Sequence, residues 1–185
     1  MRVLLLLVLC SVMGMAQVEK TAITELGLTF PIKSTALKDY IGANGVTSLP
    51  LTSGYSNGVE IGRHSVISNQ ATIGLLANAN MFMASDSTWI DQIYQLNLFL
   101  VGRLYFGDSW RGGFFAELGS GPEISLAKFR GAPLIYQIDI GSRIGVGYNY
   151  KFAEDVTIGA SVLISPSITM GNTSDGIKIA ISMLW

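Results

Sequence analysis

Beyond its first residues the chain has no cysteine, and it holds one histidine, little charge and no long apolar run. Each shortage removes a class of answer. The single cysteine, Cys10, lies inside an N-terminal apolar stretch, so residues 17–185 offer no disulfide, no thiolate nucleophile and no zinc–thiolate site. With His64 as the only histidine there is no His/Cys metal spacing, and neither a glycine-rich phosphate loop nor a calcium-type carboxylate cluster is present. We therefore expect no metal, no cofactor and no catalytic set. Lys and Arg number 12 against 13 Asp and Glu, a balance that gives nucleic acid nothing to bind electrostatically. After residue 16 no segment approaches the 18 or more unbroken apolar residues of a membrane-spanning helix.

What is present conflicts with that list. Mean hydropathy is +0.43 and only 14% of residues are charged. The first sixteen residues read as a secretory signal peptide: Met1-Arg2, an apolar Val3 to Met13, and the small-x-small site Gly14-Met15-Ala16. Cleavage is expected after Ala16, leaving one domain over 17–185. Leu9 rather than a small residue precedes Cys10, which argues against a lipoprotein signal. A hydrophobic exported chain without helical spans has one main solution, because lipid admits closed β-barrels and excludes open sheets.

A barrel wall places alternate side chains in lipid, so apolar residues should recur with period two. The last stretch does so plainly: Ile177, Ile179, Ile181, Met183 and Trp185 share one face. Similar alternation predicts eight strands over roughly 20–31, 57–68, 71–84, 92–107, 112–121, 134–151, 155–166 and 176–185. The second is irregular. Val59 and Ile61 begin an apolar face, but the same parity reaches Arg63, so either a bulge near Gly62 resets the register or Arg63 lies close enough to an interface to reach water. Connections 32–56, 85–91, 122–133 and 167–175 are mostly long and the others short. That alternation fits longer outer loops, short periplasmic turns and both termini in the periplasm. Aromatic residues gather at the predicted strand ends: Phe106, Trp110, Phe114, Tyr148, Tyr150, Phe152 and Trp185 at one rim, Phe30, Phe82, Trp89, Tyr94 and Tyr136 near the other. Two interfacial girdles account for this.

On this pattern the chain resembles the small outer-membrane β-barrel family, of the OmpX and OmpA transmembrane-domain kind, over all of 17–185. The resemblance implies an all-β, eight-stranded antiparallel up-and-down transmembrane barrel in the outer membrane of a Gram-negative bacterium. It also implies that the terminal strand is the signal read by the barrel-assembly machinery, with Trp185, Met183 and Ile181 as the recognised residues and Ile179 on the same face. Family members usually end in Phe, so the terminal Trp keeps the aromatic character while changing the residue.

The inward-facing set holds Glu25, Glu60, Glu117 and Asp139 against Arg103, Arg143 and Lys178. Buried charges must pair, and an eight-stranded barrel is just wide enough for side chains to fill. A plug of ion pairs is the expected structure, and a narrow gated pore the alternative. Lipid A deacylases and acyltransferases are also eight-stranded and use a histidine, but in a strand His64 and Ser68 share a face about 13 Å apart, too far for a nucleophile pair. The loop over 32–56, with Tyr40, Ile41, Leu49 and Leu51, is where an extracellular ligand or a lid over the mouth would be built. The reading is a non-enzymatic barrel that displays loops, with outer-membrane lipid and the assembly machinery as partners. A small channel is the alternative, and a lipid A-modifying enzyme comes after it.

Overall fold

A computed structural model describes residues 22–34, 55–83, 90–129, 134–169, 172–174 and 176–185. The expected signal peptide 1–16, most of the 32–56 connection and Trp89 fall outside these. The strands are β1 (Ala22–Ser34), β2 (Tyr55–Ser68), β3 (Ala71–Met83), β4 (Ile90–Ser109), β5 (Gly112–Phe129), β6 (Ile135–Lys151), β7 (Thr157–Ile164), β8 (Ser167–Thr169), β9 (Asn172–Ser174) and β10 (Gly176–Leu184). Sequence neighbours from β1 to β7 pair antiparallel, β7 pairs with β10, and β10 pairs with β1. The sheet therefore closes on itself. Short β8 continues the place of β7 against β6, as Ile140↔Ile168, and β9 pairs with β8 beside β10. Ten segments thus build eight walls, an up-and-down barrel closed by the β10–β1 and β5–β6 ladders.

Burial is inverted relative to a water-soluble domain. Glu25, Glu60, Arg103, Glu117, Arg143 and Lys178 are buried, whereas Leu100, Leu118, Ile138, Val146, Ile164 and Ile181 stand exposed on the outer surface. The two sets alternate residue by residue along β7 and β10. A cylinder this narrow cannot turn its large aliphatic faces inward, and an apolar surface of this extent is stable only against hydrocarbon.

Several boundaries depart from expectation. The fifth strand does not stop at 121 but runs to Phe129. Pro122 supplies no N–H to β4, and that pairing is interrupted between Asn97↔Glu123 and Leu100↔Ser120. Pairing with β6 nevertheless continues unbroken through Pro122↔Ile140, and this carries the strand onward. The expected connection 122–133 is therefore mostly strand, and 167–175 contains the β8–β9 hairpin. Long and short connections alternate less than expected, and only the segment between Ser34 and Tyr55 is much longer than the rest. In the second strand no bulge occurs near Gly62. The β1–β2 register runs unbroken from Ala22↔Ser65 to Thr29↔Gly58, and Arg63 points outward.

Gly121 marks the tightest approach of backbones among the described glycines. A Cβ on Gly121 would lie 1.9 Å from the carbonyl oxygen of Leu98. No flexible side chain can yield there, so Gly121→Val is expected to lower stability by about 1–3 kcal/mol. Urea titration of the lipid-folded barrel checks this.

Candidate functional site

The lumen is the candidate site, and it is filled in three layers. The lowest, beside the β2–β3 and β4–β5 turns, is apolar: Ile23, Val66, Tyr105, Trp110, Phe115 and Leu184 cluster there. Trp110 belongs to the two-residue turn between β4 and β5, which Gly113 permits by adopting φ +108°. Its indole was expected in a lipid-facing girdle. It folds instead into the barrel mouth, 5% exposed, because the turn is pinned from neighbouring strands. Asn149 Nδ2 donates to the Trp110 carbonyl at 2.7 Å, Arg111 Nη1 donates to the Glu154 carbonyl at 2.8 Å, and the Arg111 guanidinium lies 5.2 Å from the indole centroid.

Above this lies a chain of charges from five strands. His64 Nε2 and the Glu25 carboxylate are 2.8 Å apart, and Arg103 Nη2 donates to Glu25 at 2.9 Å. Arg103 Nε donates to Glu117 Oε2 at 2.5 Å, and Arg143 Nε donates to the other oxygen of Glu117. Arg143 Nη1 reaches Glu60 Oε2 at 2.7 Å. Each of the six is no more than 4% exposed. Signs alternate along the run Glu25–Arg103–Glu117–Arg143–Glu60, so every carboxylate has a guanidinium against it, Glu117 bridges two of them, and the His64 imidazole shares a hydrogen bond with Glu25 at the end of the run. Arg103 also lies over the Phe115 ring, 5.3 Å from its centroid, which joins the charged layer to the apolar one.

Toward the far end amides and hydroxyls dominate the lining around a second apolar group of Leu76, Phe99 and Val101, with Glu123, Asp139 and Lys178 among them. Thr29 donates to Asn80 at 2.8 Å, Asn78 donates to Thr29 at 3.3 Å, Asn97 donates to Asn78 at 3.2 Å, and Asn80 also donates to Asn78. Gln95 donates to Glu123 at 2.6 Å, and Lys178 Nζ donates to Gln95 at 3.4 Å.

Of the seven charges assigned to the lumen from sequence, Glu25, Glu60, Arg103, Glu117 and Arg143 are brought together in one network. Asp139 and Lys178 lie on the same inner wall in the outer layer, Asp139 opposite Glu123 across β5 and β6. Sequence reading missed Glu123 because the strand was ended before it, and missed His64 as a network member because its parity was judged with an uncertain β2. The serine at 65 faces outward, and among the described residues no hydroxyl hydrogen-bonds to His64. On the outer surface Phe106, Phe114, Tyr148, Tyr150 and Phe152 are exposed beside the β4–β5 and β6–β7 connections. The Phe114 and Tyr148 rings meet edge to face at 5.0 Å. Phe30 and Tyr136 are exposed and Tyr94 half-buried farther along the walls. Ile179, Ile181, Met183 and Trp185 share the exposed face of β10 and its end.

No family model and no curated protein matches the chain. Solved structures do. Neisserial surface protein A aligns over 88% of this chain and 95% of its own, with TM-score 0.58 and 11% identity. The N-terminal β-barrel domain of Pseudomonas aeruginosa OprF aligns over 88% and 97%, with TM-score 0.51 and 10% identity. Ail, the attachment invasion locus protein of Yersinia pestis, aligns over 91% and 100%, with TM-score 0.51 and 12% identity. A further structure of Ail holds the heparin analogue sucrose octasulfate. At such identities the likeness establishes the fold.

Proposed function

We propose that this chain, which has the fold of the small eight-stranded outer-membrane barrels, works as a non-conducting, non-enzymatic barrel that holds an extracellular loop in place. The observation that carries the reading is the filled lumen. Charged groups from β1, β2, β4, β5 and β6 close on one another across the interior, and the apolar layer with Trp110 lies beneath them. An ion crossing would have to break Glu117 from both arginines and displace the indole. On this reading both termini lie in the periplasm, with the long segment between β1 and β2 outside. Phe106, Phe114, Tyr148 and Tyr150 then serve as the inner-leaflet girdle, Phe30 and Tyr94 lie toward the outer leaflet, and the β10 face ending in Trp185 is the strand that the assembly machinery reads.

The 32–56 segment is the proposed contact region. It carries Lys33, Lys38 and Asp39 together with Tyr40, Ile41, Leu49 and Leu51, a composition suited to an apolar or protein surface more than to a dense polyanion. That Ail takes a sulfated sugar supports the idea that a barrel of this size can present a ligand site.

Planar-bilayer recording of the purified, folded protein tests the reading. No stable conductance steps are expected. Reproducible unitary steps would instead make the chain a channel.

A further inference from the structure

Arg63 is a charged side chain on the lipid-facing side of β2, and among the described residues no hydrogen bond or ion pair engages its guanidinium. Around it on the outer surface stand Leu26, Ile61, Ile73 and Leu75, all exposed. A bare guanidinium against hydrocarbon is costly, so it must meet an anion or water within the reach of its stem.

Its place in the ladder says where that reach ends. Arg63 pairs with Thr24, and Thr24 exchanges both backbone hydrogen bonds with Trp185, at 2.8 and 3.0 Å. Arg63 therefore lies two strands from the last residue, toward the end of the barrel where the Asn69–Gln70 turn joins β2 to β3. Thr24 is directly across the ladder, and Ser65, two residues along β2, shares the outward face. One guanidinium flanked by two hydroxyls, with an aliphatic wall on the membrane side and no outward carboxylate among those neighbours, matches a phosphate that carries acyl chains. The planar fork of arginine suits two phosphate oxygens at once.

We propose that Arg63, with Thr24 and Ser65, is a headgroup site for an anionic glycerophospholipid of the periplasmic leaflet, its acyl chains lying along Ile61 and Leu75. The leaflet assignment rests on the periplasmic placement of the termini.

The test uses the whole folded barrel in detergent micelles, titrated with phosphatidylglycerol and read by native mass spectrometry. Arg63→Gln should lower retention about five-fold, in line with the usual contribution of one basic side chain at a membrane surface. Arg63→Lys should fall between, and diacylglycerol, which lacks the phosphate, should show no difference between wild type and Arg63→Gln. Inorganic phosphate at equal concentration should leave the lipid bound, which separates a lipid site from a free-anion site. Unchanged heat-modifiable migration confirms that the variants fold. Equal phosphatidylglycerol retention by wild type and Arg63→Gln overturns the site. Labelling of a cysteine at Gln70 from outside intact cells instead overturns the orientation, and with it the leaflet named here.

Discussion

Glu117→Ala is expected to destabilise the barrel by about 3–5 kcal/mol, because it leaves two buried guanidiniums without their shared counter-charge. Arg103 and Arg143 each donate Nε to a different oxygen of Glu117, so one truncation strips each buried guanidinium of one of its two counter-charges. Glu25 and Glu60 remain at the ends, but each already serves one arginine and cannot replace a bridging carboxylate. Lys178→Met should cost distinctly less, since among the described residues Lys178 makes one long hydrogen bond of 3.4 Å, to a neutral amide. Urea unfolding in lipid vesicles, followed by loss of heat-modifiable migration, measures both. Equal losses for the two variants would show that the network is not held together at Glu117.

Trp110→Ala carries the second large effect, about 3–5 kcal/mol for truncating a buried tryptophan. The indole is in contact with the apolar layer that Ile23, Val66, Tyr105, Phe115 and Leu184 complete, and no other side chain on that short turn can fill the same volume. Trp110→Phe should restore much of the loss by keeping an aromatic disc in the mouth. A girdle tryptophan facing lipid would behave differently: its removal would cost little in stability and would shift depth-sensitive quenching instead. Urea midpoints of the alanine and phenylalanine variants therefore distinguish the tucked indole from a surface one.

How much of this could be read from the sequence follows from what period two can and cannot encode. The alternation in Ile177 to Trp185 needs no tertiary knowledge, because a single slip would turn every isoleucine into the lumen. The same parity placed Glu25, Glu60, Glu117 and Arg143 inside before any contact was known. Period two is silent about turns, however. Trp110 lies between two strands, where parity no longer fixes a direction, and hydrogen bonds from Asn149 and Arg111 decide that it folds inward. It is also silent about where a ladder survives a proline: the expected strand ends at 121, and the uninterrupted β6 side carries it through Pro122. Arg63 leaves two readings open in sequence, a bulge near Gly62 or a charge close to an interface. The unbroken β1–β2 ladder makes it an outward charge with a position near the rim, and that position makes it informative. Pairing partners across strands, such as the five-strand origin of the charge network, depend on barrel stagger, which no single strand records.

The most direct measurement is a nitroxide scan along β10, with single cysteines from Ile177 to Leu184 in the folded, lipid-embedded protein. Oxygen, which concentrates in hydrocarbon, should relax labels at Ile177, Ile179, Ile181 and Met183 strongly and those at Lys178, Ala180, Ser182 and Leu184 weakly. Uniformly low oxygen access with no two-residue rhythm would contradict it, for those isoleucines would then be packed inside a water-soluble fold.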